Sequence, residues 1–324
     1  MDQNKESLVS LFERSIRNNW DLTALSDYNG SSYTYREAGD KILKIHRLFR
    51  ETGVQRGDKV ALLGKNSAMW GITYIATVTY GAVIVPILPD FRPDDVHFIV
   101  THSDSILLFA DDFLYKDLKA NALPGIRLSV NIQDHAILFA RDPATESKAI
   151  AAFSAHEELL QRGIGPDMIS FAPSGGEQVA VISYTSGTTG FSKGVVIQHK
   201  SLLGNILFAH RNMPLQPRDK ILSFLPLAHT YGCAFEFLFP FTKGCDITFL
   251  TKTPSPKIIM QAFGEIKPAL ILSVPLVIEK IYKAQIIPAM RKPAIRILKN
   301  VPGLNTIIYK KIHEIGRASC RERV

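Results

Sequence analysis

The sequence predicts two adjacent doubly wound, mostly parallel α/β subdomains, and three observations carry that reading. Short aliphatic, β-branched runs alternate with stretches of helical period along most of the chain. The 324 residues are 46% hydrophobic, enough to bury a substantial core, on a length that suggests about two domains. A turn-rich connector, FAPSGGEQ at 171–178, interrupts the alternation before it resumes. The boundary is therefore expected between 172 and 173, giving subdomains 1–172 and 173–315.

Taken in order, Leu8, Leu11, Phe12 and Ile16 form the apolar stripe of a first helix, which is charged and amphipathic and has no signal-peptide core. Asn29-Gly30 marks a tight hairpin between two short strands. Thr34 and Glu37 have capping-box spacing, and Ala38, Ile42, Ile45, Leu48 and Phe49 continue at helical period to Gly53. KVALLG reads as a strand. Between Lys65 and Asp90 no residue is charged, a length that matches a bilayer crossing. Gly71, Gly81, Pro86 and three threonines punctuate it, so it reads instead as a core helix ending at Gly81 and a core strand, VIVPI, at 83–87. Further expected elements are a helix opened by Arg92-Pro93, a strand at 106–110, a helix at 115–121 and a strand at 126–130. Beyond the connector follow the strand VAVISY, a helix at 201–211, the strand CDITFL, a helix from Ser255-Pro256 to Ile266, the strand ALILS and a helix opened by Pro275.

Charge and cysteine usage narrow the function classes. From Glu279 to the end there are eleven Lys or Arg against three acids, which accounts for the whole formal net charge of +8. The rest of the chain is neutral, which argues against a nucleic-acid-binding surface. Segment 280–311 interleaves Ile, Leu and Met with cations, as either a surface helix pair or an interfacial helix would. Cys233, Cys245 and Cys320 have no CxxC spacing, so neither a disulfide framework nor a zinc site is expected, and a cytoplasmic location fits.

The chemistry sits in YTSGTTGFSKG at 184–194, directly after a β-branched strand. Gly187, Gly190 and Gly194 permit positive φ and close approach of backbone N–H groups to an anion. Thr185, Ser186, Thr188 and Thr189 add hydroxyls, and Lys193 adds a cation for phosphate oxygens. This is not the P-loop pattern, because Gly194 follows Lys193 where that pattern needs Ser or Thr. A ligand-free Ser/Gly linker is the bland alternative, and eleven ordered positions after a buried strand weigh against it.

The 184–194 loop resembles the phosphate-binding signature of the adenylate-forming superfamily, with Ser192 where that pattern usually carries Pro. SYTYREA, GAVIVPI and LPLAHTYG at 225–232 resemble further motifs of that superfamily in the same order, and SVPLVIEKIY at 273–282 is most similar to its long-chain fatty acid–CoA ligase branch. The resemblance implies the fold of the superfamily's N-terminal domain and an AMP-forming ligase using ATP, magnesium, a fatty acid and coenzyme A. It implies that Thr185 meets the metal, that Ser186, Gly187, Thr188, Thr189, Gly190, Lys193 and Gly194 hold phosphates, and that His229 lines the acyl or carboxylate end. It also implies an adenine-binding segment, a metal-binding Glu, a ribose-binding Asp and a C-terminal domain with a catalytic Lys, none of which is found here. The expectation is a truncated, inactive fragment of a full-length ligase, with 316–324 a foreign or frameshifted tail and 280–311 touching the inner membrane face. The alternatives are a ligase for an aryl acid or amino acid, and a non-catalytic nucleotide- or membrane-binding module.

Overall fold

A computed structural model describes residues 6–161, 163–185, 193–251, 255–275, 279–280, 282–283 and 287–290. Helix α1 (Leu8–Asn18) opens with a Ser7–Ser10 capping box and buries Leu8, Leu11, Phe12 and Ile16. Strands β1 (Thr23–Asp27) and β2 (Ser32–Thr34) pair antiparallel through a turn in which Asn29 takes φ 60°. Helix α2 (Tyr35–Glu51) starts as expected: the Thr34 backbone N–H donates to Glu37 Oε2 at 2.7 Å and the Glu37 N–H to Thr34 Oγ1 at 3.2 Å. Such a cap contributes about 1 kcal/mol.

Next come β3 (Lys59–Leu63), α3 (Ala68–Tyr80) and β4 (Val83–Ile87). Every α3 residue from Ala68 to Thr79 is buried, and Gly81 closes the helix at φ 89°. The uncharged stretch is thus a core helix and strand, and no helix among the described residues is long and apolar enough to cross a membrane. The chain continues through α4 (Pro93–His102), β5 (Ser105–Ala110), the single turn α5 (Asp112–Tyr115), β6 (Leu128–Asn131), β7 (Ile137–Ala140) and α6 (Pro143–Gln161). Beyond the connector lie β8 (Val179–Thr185), β9 (Lys193–Gln198), α7 (His199–Asn212) and β10 (Lys220–Ser223). A continuous helical run follows, made of α8 (Thr230–Gly232), a π-helical stretch (Cys233–Leu238) and α9 (Phe239–Lys243), before β11 (Asp246–Phe249) and α10 (Pro256–Ile266).

The strands form two sheets, ordered β7-β6-β5-β3-β4-β8-β9 and β10-β11-β1-β2. Pairing is parallel except for β7, β9 and β2 at sheet edges. The architecture is therefore the mixed α/β, parallel-rich one expected. Its sheets, however, do not divide at 172/173. β8 joins β4 through Ile84 and Val181, whereas β1 joins β11 through Leu25 and Ile247. Each sheet draws strands from both halves of the chain, and a parallel sheet must be covered on both faces. Helix α3 provides that cover for both, packing on β1 of one sheet and on β3 and β4 of the other.

Three local expectations change. The helix at 115–121 is only the α5 turn and a 3-10 turn at Ala120–Ala122, since Leu114, Tyr115 and Leu118 are its only apolar anchors and are partly buried. ALILS forms one bridge, Ile221 to Leu270, rather than a strand. Strands β7, β9 and β10, helix α6 and the helical run from Thr230 to Lys243 are additional. The helix opened by Pro275, the basic segment 280–311 and the tail 316–324 fall largely or wholly outside the described residues.

Candidate functional site

Strands β8 and β9 form an antiparallel pair whose register opposes Tyr184 to Gly194 and Thr185 to Lys193. The two ends of the 184–194 motif are thus antiparallel neighbours, with Thr185 opposite Lys193 at the ends of β8 and β9. Directly opposed residues share a sheet face with Cβ atoms about 5 Å apart. One hydroxyl and one ammonium therefore leave the same face side by side, and both residues are exposed. Ser186, Gly187, Thr188, Thr189 and Gly190 lie outside the described residues.

Gly194 has a different reason for being glycine from the one expected. Its φ is not positive; instead, an added Cβ would lie 3.1 Å from both Tyr184 Cζ and Ile182 Cγ2. The Tyr184 ring covers the strand at that point, and its hydroxyl lies 2.7 Å from His102 Nδ1 at the end of α4. Burial raises the Tyr184 phenol above its usual pKa, so it stays neutral and the contact persists.

LPLAHTYG leaves the sheet at the end of β10. Phe224, Leu225 and Leu227 are buried, while His229 is exposed. His229 has φ −88° and ψ 135° and caps α8: its N–H donates to Pro226 O at 3.1 Å and its carbonyl accepts from the Cys233 N–H at 3.0 Å. Gly232 permits the tight return, since a Cβ there would sit 2.9 Å from Pro226 O.

The strand leading into the first motif meets the second motif: Ser183 of β8 lines one cavity of about 10 Å³ with Leu227, Ala228 and Thr230 of 225–232, next to Cys233, Tyr74 and Pro86. That volume is at the lower limit for a single water and far below the few hundred Å³ of a ligand pocket. The cavity is a seam between β8 and the second motif, and it does not hold an acyl chain. A larger groove of about 430 Å³ borders Tyr33, Arg36, Asp40, Lys41 and Leu160 and contains none of the expected site residues.

No group of three or more His, Cys, Asp or Glu that could hold a metal exists among the described residues. A magnesium arriving on ATP keeps phosphate and water ligands and needs few protein oxygens, and the exposed Thr185 hydroxyl can offer one.

Two residues at this site escaped the sequence reading. Glu236, 1% exposed, receives hydrogen bonds at Oε2 from Ser223 Oγ (3.1 Å) and from the backbone N–H groups of Phe224 (3.0 Å) and Leu225 (2.9 Å). Burial pushes its carboxyl up to about 8, against the lowering effect of those donors. An acid inside the apolar run CAFEFLFP was the available signal. Asn66 donates from Nδ2 to Leu225 O at 2.7 Å and accepts at Oδ1 from the Leu227 N–H at 3.0 Å. Nothing in its local sequence marks that contact.

Comparison with known proteins agrees with the geometry. The family described as AMP-binding enzyme matches residues 12–309. "Long chain acyl-CoA synthetase 7, peroxisomal" from Arabidopsis thaliana is 30% identical over 254 residues, covering 77% of this chain and 35% of the relative. "Long chain acyl-CoA synthetase 5" from the same plant is 26% identical over 261 residues, covering 77% of this chain and 38% of the relative. The chain thus spans little more than a third of the length of these relatives. Among solved structures, the inhibitor-bound N-terminal domain of FACL13 from Mycobacterium tuberculosis superposes with a TM-score of 0.70 at 19% identity, covering 89% of this chain and 68% of that one. The anthranilate CoA ligase AuaEII in complex with anthranoyl-AMP gives 0.69 at 20% identity, covering 82% and 49%. At these identities the structural matches speak for the fold alone. The family match over most of the sequence shows that this chain belongs to the AMP-binding enzyme family of adenylate-forming ligases.

Proposed function

We propose that the chain supplies the ATP-phosphate site and part of the acyl site of an AMP-forming long-chain fatty acid–CoA ligase. The observation that carries this reading is the cross-strand pair of Thr185 and Lys193 at the ends of β8 and β9. In the proposed reaction a fatty acid carboxylate oxygen attacks the α-phosphorus of ATP and pyrophosphate leaves. The coenzyme A thiolate then attacks the acyl carbon of the adenylate, forming the thioester and releasing AMP. Charge on the phosphates is the chief barrier to the first step, and a cation with hydroxyl and amide donors lowers it without a protein nucleophile. Lys193 would pair with phosphate oxygens, Thr185 would offer its oxygen to magnesium carried by ATP, and His229 would face the carboxylate. Long-chain preference is supported by the named relatives and by the 273–282 motif.

Titration of the chain with MgATP tests the phosphate site. Lys193 is exposed on an edge strand, so Lys193→Ala is expected to leave the fold intact. Loss of one charge-assisted hydrogen bond, about 1.5–3 kcal/mol, should weaken ATP binding roughly 10- to 150-fold. Equal affinity in both proteins would refute the role of Lys193. Incubation of the chain with MgATP, coenzyme A and either palmitate or benzoate should give ATP binding without steady pyrophosphate release. Steady turnover would refute the inactivity expected of the chain alone, and tighter binding of benzoate than of palmitate, read by titration, would refute the long-chain reading.

A further inference from the structure

The backbone between the end of β10 and α8 has left the sheet, yet Phe224, Leu225, Leu227 and Ala228 are buried, so their backbone polar groups need partners. Tracing those groups shows how the second motif is held. The N–H groups of Phe224 and Leu225 both donate to Glu236 Oε2, at 3.0 and 2.9 Å. The Leu225 carbonyl accepts from Asn66 Nδ2 at 2.7 Å, and the Leu227 N–H donates to Asn66 Oδ1 at 3.0 Å. Pro226 has no N–H, and its carbonyl accepts from His229 at 3.1 Å. Two side chains therefore satisfy four backbone groups within four consecutive residues.

Both are mounted on rigid supports. Asn66 directly precedes Ser67, the N-cap of the buried helix α3, and the adjoining Lys65 N–H is tied to Asp111 Oδ2 at 2.8 Å. Glu236 comes from the π-helical stretch Cys233–Leu238, a register that is rare and frequently found at functional sites. Its other oxygen, Oε1, is buried with no hydrogen-bond partner among the described residues, so the side chain is held there by the three bonds that Oε2 accepts.

We infer that Asn66 and Glu236 are positioning residues that clamp the 224–227 backbone and thereby set where His229 and Thr230 stand on the wall facing the acid substrate. The inference rests on the reading of 225–232 as that wall. Asn66 works from the α3 side and Glu236 from the helical side, so either loss frees the segment while the sheets stay paired.

The test is hydrogen exchange on the whole chain, resolved to peptides, together with binding of palmitate and of MgATP. Asn66→Ala and Glu236→Ala should each speed exchange across 224–231 at least tenfold and leave β5 unchanged. Glu236→Gln keeps a carbonyl acceptor and should stay within threefold of the parent. Palmitate binding should weaken at least tenfold in both alanine variants, with MgATP binding within twofold. If an alanine variant fails to fold, Asn66→Asp decides, because it keeps the acceptor for Leu227 and loses the donor to Leu225: faster exchange at 224–231 with weaker palmitate binding supports the clamp. Unchanged exchange at 224–231, exchange rising equally everywhere, or unchanged palmitate binding in a loosened variant would overturn it. A parent chain that binds MgATP and no palmitate overturns the acyl-wall reading and the positioning role with it. Loss of MgATP binding in the parent, with the exchange contrast present, instead faults the phosphate-site reading.

Discussion

Acidification charges His135 in the unfolded chain long before it can charge His135 in the folded one. The residue sits in the turn between β6 and β7 with φ 63° and is 6% exposed, its ring stacked on Phe153 at 5.8 Å and edge-on to Phe109 at 6.5 Å. Burial chiefly, then the charges of Lys44, Lys41 and His156, lowers its pKa from 6.5 to about 3. A depressed folded-state pKa gives stability that is complete above pH 6.5 and lost as the pH falls from there towards 3. At pH 4.5 the chain lies two units below the unfolded value, so the loss from His135 alone is about 2.7 kcal/mol. His135→Asn removes the titration, and Asn tolerates the positive φ better than most residues. Urea unfolding at pH 7.5 and pH 4.5 measures the effect as a double difference, in which groups common to both proteins cancel. The parent should lose about 2.7 kcal/mol more than the variant between the two pH values. Identical losses would refute the claim that the folded state keeps His135 neutral.

Glu236 acts in the opposite direction. Its folded pKa of about 8 exceeds the carboxylate value of 4.5, so its contribution is complete below 4.5 and is lost as pH rises through 8. Between pH 6.5 and 8 the parent should lose up to about 2 kcal/mol from this group. Glu236→Gln should flatten that limb, and an unchanged alkaline slope in urea unfolding would count against it. Gly194→Ala places a Cβ 3.1 Å from Tyr184 and Ile182. A loss of about 1 kcal/mol is expected, with weaker protection of the β8–β9 amides; a neutral or stabilising result by thermal unfolding would show that the Tyr184 ring does not need that space.

Features set by neighbours in sequence are legible from the order of residues alone. The Thr34–Glu37 cap, the Asn29-Gly30 turn, the stop at Gly81 and the stripe of α1 each depend on residues within a few positions of one another, and each is present. The alternation of short strands and helices is enough for the α/β class, and the 184–194 motif together with LPLAHTYG is enough for the family. What tertiary structure decided is a matter of distant pairings, whose outcome depends on burying both faces of a sheet at once. β1 selects β11 across more than two hundred residues, so no cut of the chain separates the sheets. Gly194 is glycine because of a ring that the register places across from it, and Lys193 meets Thr185 through the same register. Asn66 and Glu236 stand 170 positions apart in sequence, and neither shows its purpose until the backbone between β10 and α8 is seen to have no strand to bond with. Local chemistry is written along the chain, whereas the satisfaction of buried polar groups is settled only once the chain has folded back on itself.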